Sequence, residues 1–208
     1  MVDVTAERAS RGPLIWPHDR HFGSASAGKI GMCVFLVSDA LSFAALLAAH
    51  GVLRGGSAVW RHPGEPALGI NFTAGLTFLL ICSSVTMVLA YAAATKGRRR
   101  QAAAWLALTA LGGMLFLAGQ YHEYFGIWGP GLSGEGLVFG QSAYASTFYV
   151  ITSFHGVHVF SGTVYILVTL AQWLRGRTDA AQVELVGLFW HFVDFIWILV
   201  FTAVYLVS

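Results

Sequence analysis

Five long apolar stretches dominate the sequence, and each is long enough to cross a lipid bilayer as a helix. A membrane-spanning helix needs about 20 consecutive, mainly apolar residues. The stretches that reach this length are residues 30–53, 68–94, 102–125, 143–174 and 183–207. Backbone groups inside a bilayer must bond to one another, so helices are the structure expected for them. We therefore predict an all-α integral membrane bundle of five transmembrane helices, with one membrane domain over residues 30–208.

The composition indicates that lipid, rather than water, surrounds most of this chain. Of the 208 residues, 56% are hydrophobic and 11% are charged, whereas soluble domains contain about 25% charged residues. Residues 1–29 are polar and lack the apolar segment of a cleavable signal peptide. We predict that they form a cytoplasmic tail in front of an uncleaved first span.

The basic residues are distributed unequally between the two sides of the predicted bundle. Ten of the twelve lysines and arginines lie in the tail, in the loop after the second span, or in the loop after the fourth span. With five spans, these three segments share one side, and only Arg54 and Arg61 lie on the other. Cytoplasmic segments carry an excess of Lys and Arg, which predicts a cytoplasmic N-terminus and an external C-terminus.

An acidic residue, Asp39, lies nine residues into the first predicted span, roughly 14 Å along the helix at 1.5 Å per residue. Ionisable groups at such a depth are costly and mark either function or packing inside a bundle. Because burial disfavours the charged carboxylate, we expect Asp39 to be largely protonated at rest or paired with a group outside its own helix. The sequence leaves open whether this buried carboxyl is proton-linked or structural.

Two histidines, His155 and His158, lie in the middle of the fourth predicted span and share one helix face. Together with His191 in the fifth span they are candidate ligands for a metal or a haem. Three histidines from two helices do not complete such a site, so we predict no metal in this chain. Hydrogen bonds between helices, or contact with a lipid head group, are the favoured interpretation.

The fifth span contains a dense cluster, residues 190–197, which reads WHFVDFIW. His191 and Asp194 are three positions apart and can pair on one face, an arrangement that often serves helix packing. We predict that this cluster, including Trp190 and Trp197, contacts lipid or another subunit.

The remaining polar positions indicate packing rather than catalysis. Gln120, Glu123 and Tyr124 form a polar cluster at the end of the third span, where we expect them to be solvated or to anchor the helix. Cys33 and Cys82 lie in apolar runs and are predicted to be free, buried residues. No Ser-His-Asp set, carboxylate pair or thiol nucleophile can be assembled, so no catalytic residue is predicted. A basic patch interleaved with aromatic residues and a phosphate-binding glycine loop are also missing, which argues against nucleic acid as a partner.

Several motifs occur in the order and at the spacing of a known family. Residues 154–159 read FHGVHV and resemble the FHGxHV signature of subunit III of the haem–copper oxidases. Residues 190–197 resemble its WHFVDxxW signature. Residues 83–86 (SSVT) and 116–124 (FLAGQYHEY) resemble two further family segments. The resemblance covers residues 29–208 and matches the short, five-helix bacterial form of the family.

The resemblance implies a non-catalytic subunit III of a bacterial aerobic terminal oxidase in the cell membrane, with cytochrome c oxidase as the first expectation. Haem and copper are then expected in the partner catalytic subunits and not in this chain. Subunit I is the expected direct partner, alongside subunit II, further respiratory subunits and bound phospholipid. The implied role is to stabilise the catalytic subunit and to support proton and oxygen delivery. Asp39 stands where the family has the acid of a Ser-Glu pair, shortened here by one methylene.

Other functions remain open at this stage. A related one is an accessory of a quinol oxidase or a nitric oxide reductase. A second is a b-type membrane cytochrome that uses His155 or His158 together with His191. A third is a small transporter with Asp39 as its proton site, although the odd number of spans and the lack of an inverted repeat argue against it.

Overall fold

The computed structural model describes residues 26–127 and 129–207, which form five long helices and a short π-helix. The helices, numbered α1 to α5 in chain order, are Ala27–Gly56, Ile70–Thr95, Arg99–Phe125, Ala143–Leu174 and Ala180–Val200, and the π-helix is Phe201–Leu206. Five helices, the last one counted through Leu206, are long and apolar enough to cross a membrane. The predicted all-α bundle of five spans is confirmed. Most of the predicted cytoplasmic tail, residues 1–25, lies outside the described residues.

With α5 counted through the π-helix to Leu206, the helix boundaries differ from the predicted spans by up to three residues. The helix α1 begins at Ala27 because the side chain of Ser26 accepts a hydrogen bond from the Lys29 backbone N–H. In the same way, Asp179 Oδ1 accepts from the Gln182 backbone N–H at 3.2 Å and starts α5. Such caps satisfy N–H groups that have no partner within the helix. Apolarity alone misses these first turns because their residues are polar.

Contacts between helix termini define the two ends of the bundle. Lys29, near the start of α1, forms a 2.6 Å ion pair with Glu184, near the start of α5. We call this the N-terminal end. At the opposite end, His50 of α1 is hydrogen-bonded to Thr147 of α4 at 3.0 Å. We call this the C-terminal end, because the π-helix also lies there. Successive helices therefore run in opposite directions.

The central helix of the bundle is α5. It packs against α1, α2 and α4, while α3 packs between α2 and α4. The helix α1 packs on α4 and α5 from outside this four-helix ring and is the least buried of the five. Its outer face carries Val34, Val37 and Leu41, which are 65%, 64% and 68% exposed. In a membrane this face requires lipid or another protein to cover it.

The close approach of α3 to its neighbours depends on two adjacent glycines. A Cβ atom added at Gly112 would lie 2.7 Å from the Cβ of Ser83 in α2. One added at Gly113 would lie 2.7 Å from Cη2 of Trp190 in α5. Lipid tails are as apolar as side chains, so tight packing, rather than escape from water, drives helix association in a membrane. Glycine provides that tight packing here.

The two cysteines are free, as predicted, but the prediction that they are buried is wrong. Both Cys33 and Cys82 lie on the exposed outer surface of the bundle. An apolar run does not indicate burial within a membrane protein, because the lipid-facing surface is apolar as well.

Candidate functional site

Asp39 of α1 and His158 of α4 form a pair between these two helices. Asp39 Oδ1 lies 3.2 Å from His158 Nε2, and the two side chains are only 10% and 14% exposed. The rings of Phe43 and Phe154 lie 5.2 Å and 4.7 Å from the imidazole, between ring centroids. The buried acid therefore has its partner on another helix of the same chain.

The hydrogen bonds of His158 determine how many protons this pair holds. His158 Nδ1 lies 2.7 Å from the carbonyl oxygen of Phe154, and because a carbonyl only accepts, Nδ1 carries a proton. In a neutral imidazole Nε2 then has no proton and can only accept. The contact with Asp39 therefore requires one further proton, which resides on the carboxyl group or on Nε2. Either arrangement is neutral overall, which reduces the cost of placing the pair in an apolar environment.

The other histidine of this motif, His155, points into the core of the bundle. Its side chain is fully buried and stacks on Trp197 of α5, with 4.8 Å between the ring centroids. Phe116 of α3 lies edge-on at 5.8 Å. Both ring nitrogens lack a hydrogen-bond partner among the described residues. His155 thus contacts neither lipid nor another subunit, and the sequence-based prediction is wrong for this side chain.

The cluster on α5 contacts α2 through three side-chain hydrogen bonds. Trp190 Nε1 donates to Ser83 Oγ at 3.1 Å, and Trp197 Nε1 donates to Thr77 Oγ1 at 2.9 Å. Both tryptophans are 1% exposed, so their predicted contact with lipid or another subunit is also wrong. The third bond joins His191 to Ser84.

His191 and Asp194 do not pair with each other as their spacing suggested. His191 Nδ1 lies 2.6 Å from Ser84 Oγ of α2. Asp194 is 8% exposed, and its Oδ1 has no hydrogen-bond partner among the described residues. His191 is half-buried, Asp194 is buried, and Phe195, at 58%, is the exposed member of this cluster.

The polar cluster that ends α3 is buried and not solvated, contrary to the sequence-based expectation. Glu123 is 8% exposed and accepts hydrogen bonds of 2.9 Å from the hydroxyl groups of Thr73 and Tyr205. Gln120 is 5% exposed, and its Nε2 donates to the Thr152 carbonyl at 2.8 Å. These hydrogen bonds join the end of α3 to α2, α4 and the π-helix.

Tyr124, the third member of that cluster, extends the same network. Its hydroxyl group is hydrogen-bonded to Thr152 Oγ1 and to Gln120 Nε2. Sequence analysis missed Thr73, Thr152 and Tyr205 as members of this network. The sequence indicates only that a hydroxyl group buried in an apolar span needs a hydrogen-bond partner. It does not identify which residue that partner is.

The donor set of the described residues does not fit a haem or a metal. No group of three or more His, Cys, Asp or Glu side chains among them is arranged to hold a metal ion. His158 and His191 are each hydrogen-bonded to other residues. A haem beside His155 would have to displace the ring of Trp197, which stacks on it.

Comparison with known proteins identifies relatives along most of the chain. A family model described as cytochrome c oxidase subunit III matches residues 17–208. The chain is 34% identical over 198 residues to cytochrome bo(3) ubiquinol oxidase subunit 3 of Pseudomonas aeruginosa, which covers 92% of this chain and 90% of that protein. It is 35% identical over 190 residues to cytochrome c oxidase subunit 3 of a Synechocystis species, covering 89% and 78% of the two chains. The corresponding protein of Corynebacterium diphtheriae is 33% identical over 186 residues, with 86% and 88% covered.

These similarities extend over all five helices and include the two motifs whose side chains join α4 and α5 to the rest of the bundle. The chain belongs to the cytochrome c oxidase subunit III family.

Proposed function

We propose that this chain is the non-catalytic subunit III of a bacterial aerobic terminal oxidase, with cytochrome c as the electron donor. Membership of the subunit III family is the observation that carries this proposal. Proteins of this family are subunits of haem–copper oxidases, whose cofactors are in other subunits. The chain is a multi-pass protein of the bacterial membrane, consistent with its five apolar helices.

The way the chain uses its histidines supports the non-catalytic role. His155 is enclosed by aromatic rings, His158 is bonded to Asp39 and to a backbone carbonyl, and His191 is bonded to a serine. The contacts of His158 with Asp39 and of His191 with Ser84 join helices of the same chain. Their chemistry is that of a packed bundle, and it suits a subunit that supports redox chemistry carried out elsewhere in a complex.

The exposed face of α1 supports a position against a partner subunit. We place subunit I directly on this chain, with subunit II and further respiratory subunits in the same complex. The outward-facing Val34, Val37 and Leu41 form an apolar strip that subunit I or phospholipid has to cover. Stabilisation of the catalytic subunit and retention of phospholipid follow from such an interface.

The pair Asp39–His158 supports a proton-linked role. It holds one proton that has two possible positions, in the middle of a membrane-spanning bundle. The second carboxylate oxygen, Asp39 Oδ2, has no hydrogen-bond partner among the described residues. This oxygen is free to accept a bond from water or from a partner subunit, which suits a group that supports proton delivery.

A second candidate function is subunit III of a quinol oxidase. The name of the relative from Pseudomonas aeruginosa specifies ubiquinol, and that protein is 34% identical to this chain. The cytochrome c oxidase subunits of Synechocystis and Corynebacterium diphtheriae are 35% and 33% identical, so sequence identity does not distinguish the two donors. The electron donor therefore has to be identified by experiment.

The decisive experiment is purification of the tagged chain from its own membrane in mild detergent, with mass spectrometry of the proteins that accompany it. A reduced-minus-oxidised spectrum is recorded before and after the partners are removed. We expect haem-bearing oxidase subunits to co-purify and the haem spectrum to leave with them. A chain that purifies alone, or that keeps a haem spectrum when alone, contradicts the proposal. Oxygen consumption by the complex with reduced cytochrome c, compared with a quinol, identifies the donor.

A further inference from the structure

A polar cavity lies at the C-terminal end of the bundle, under the loop between α1 and α2. Its volume is about 400 Å³, and the residues that line it include Arg54, Arg61, Trp60, Tyr144 and Tyr205. Arg61 is exposed, whereas Tyr205 is 2% exposed. The cavity therefore extends from the surface of the protein to a buried side chain.

The charged groups around this cavity favour water inside it. Arg54 and Arg61 contribute two guanidinium groups to its lining. Both Arg61 and the buried Glu65 act electrostatically on Tyr144, so an acidic group lies close to these cations. One carboxyl group balances at most one of the two cations, and the charge that remains has to be hydrated. At about 30 Å³ for each water molecule, the cavity has room for roughly ten.

The buried end of the cavity is connected to an acid, Glu123, that the proposed function does not use. The hydroxyl group of Tyr205 donates a 2.9 Å hydrogen bond to Glu123 Oε2. Glu123 itself is 8% exposed. A phenolic hydroxyl group both donates and accepts, so Tyr205 can bond to water in the cavity and to Glu123 at the same time. The carboxyl group is thus one side chain away from the cavity.

Glu123 can gain or lose a proton without losing a hydrogen bond. Thr73 Oγ1 donates to Glu123 Oε1 at 2.9 Å, and this oxygen accepts equally in a carboxylate and in an acid that is protonated on Oε2. At Oε2 the direction of the bond reverses. A protonated Oε2 donates to the Tyr205 oxygen, and the Tyr205 hydroxyl proton then bonds to water in the cavity. The contact of Tyr205 with the cavity is what makes the second state possible.

We infer that Glu123 is a proton-exchange site, reached from the aqueous phase at the C-terminal end through water in this cavity and the Tyr205 hydroxyl group. Uptake moves one proton from hydrated H⁺ in the cavity to the Tyr205 oxygen, while Tyr205 passes its own proton to Glu123 Oε2. Release is the reverse, and each step leaves Tyr205 with one proton.

This inference goes beyond the proposed function, which assigns a proton-linked role to the pair Asp39–His158. That pair lies in the middle of the bundle between α1 and α4, whereas Glu123 lies at the end of α3. With the predicted orientation of the chain, Glu123 exchanges protons with the external side of the membrane.

Hydration of the cavity is measured by radiolytic hydroxyl-radical labelling of the purified oxidase complex, followed by mass spectrometry. Radicals form in the water beside a side chain, so a buried residue is labelled only where water contacts it. We expect label on Tyr205, although it is 2% exposed. Trp190 is the internal control and is expected to stay unlabelled, because it is 1% exposed and packs against Gly113 and Gly162. An unlabelled Tyr205 overturns the inference.

Proton exchange is measured by infrared spectroscopy, as the shift of the Glu123 carboxyl band after transfer of the complex into heavy water. The variant Glu123→Gln identifies the band. Tyr205→Phe removes the relay, and Ala67→Phe fills the cavity without changing the relay. Val59→Phe is the matched control, because it places the same side chain in the same loop at a position that is 54% exposed.

We expect exchange at Glu123 to be about tenfold slower in Tyr205→Phe and in Ala67→Phe, which corresponds to about 1.4 kcal/mol in the barrier. The control exchanges at the wild-type rate. The Asp39 band, identified with Asp39→Asn, keeps its rate in all three variants, which separates loss of the relay from general loosening of the bundle. Equal Glu123 exchange in wild type and Tyr205→Phe overturns the inference, as does the lack of a protonated Glu123 band. Both measurements detect side chains of this chain, so their outcome is independent of which oxidase subunits co-purify.

Discussion

The hydroxyl group of Tyr205 donates a 2.9 Å hydrogen bond to Glu123 Oε2 and thereby joins the C-terminal π-helix to the end of α3. Both side chains are buried, and Thr73 of α2 donates to the other carboxylate oxygen. Three separate segments therefore meet at one carboxyl group near the C-terminal end of the bundle.

Removal of the Tyr205 hydroxyl group is expected to destabilise the bundle. Tyr205→Phe leaves a buried carboxylate oxygen without its donor, which costs about 1–3 kcal/mol. Thermal unfolding of the detergent-purified complex measures this as a lower midpoint for the variant. Tyr165→Phe is the matched control, because the Tyr165 hydroxyl group forms no hydrogen bond with the described residues. Equal midpoints for Tyr205→Phe and wild type would show that the bond adds no stability.

Two substitutions of Asp39 distinguish the contribution of its hydrogen bond to His158 from that of its ionisable proton. Asp39→Asn retains a donor that can bond to His158 Nε2, whereas Asp39→Ala leaves this nitrogen unpaired, at a cost of about 1–3 kcal/mol. We expect the thermal midpoint to fall for Ala and to stay near wild type for Asn. Both variants are expected to assemble and to reduce oxygen at nearly the initial wild-type rate, with a shorter working lifetime for Ala. A loss of initial turnover by orders of magnitude would place Asp39 in the catalytic route instead.

Gly113 is predicted to be the glycine of α3 that is least tolerant of a side chain. Gly113→Ala forces a methyl group against Trp190 and Thr163, and such overpacking costs about 1–3 kcal/mol. Gly75→Ala in α2 is the control, because no atom lies within 4 Å of a Cβ added there. Alanine is favoured over glycine in a helix by about 0.5–1 kcal/mol, so the control is expected to be neutral or stabilising. Unfolding midpoints that rank the two variants in the opposite order would refute this account of α3 packing.

His191→Ala and Asp194→Ala are expected to weaken the association of the chain with the oxidase. His191 is half-buried, and the buried Asp194 has a carboxylate oxygen, Oδ1, without a hydrogen-bond partner among the described residues. The amount of chain and phospholipid retained per oxidase after detergent extraction measures the effect. Ser84→Ala is the control, since it removes the hydrogen bonds that Ser84 forms with His191 and Asp194 within the chain and leaves both of those side chains in place. Subunit and lipid contents equal to those of wild type would argue against a contact role.

The predicted orientation can be measured with single cysteines. In a chain with Cys33 and Cys82 replaced by serine, we introduce Val59→Cys in the loop after α1 or Lys96→Cys after α2; both native positions are exposed. A membrane-impermeant maleimide applied to intact spheroplasts is expected to label position 59 and not position 96. Labelling of position 96 alone would place the N-terminus outside.

The sequence by itself determined the number of helices and the family. Spans of this length and apolarity have no alternative to a helix in a bilayer, because unpaired backbone groups are too costly there. Likewise, FHGVHV and WHFVDFIW are recognisable in one dimension, because their residues are close in sequence. The sequence also indicated that the buried Asp39 needs a partner outside its own helix, because an isolated charge is costly in a bilayer. It did not identify His158 as that partner.

The tertiary structure alone decided where each helix face points. His155 and His158 are only three residues apart, yet one ring stacks in the core on Trp197 and the other faces α1. Glu123 was expected at the water interface and is buried, because the chain end folds over it and supplies Tyr205. Apolarity does not orient these helices, since lipid and the protein interior are equally apolar. Their rotation depends on glycine contacts and on hydrogen bonds between distant residues, which exist only once the bundle has assembled.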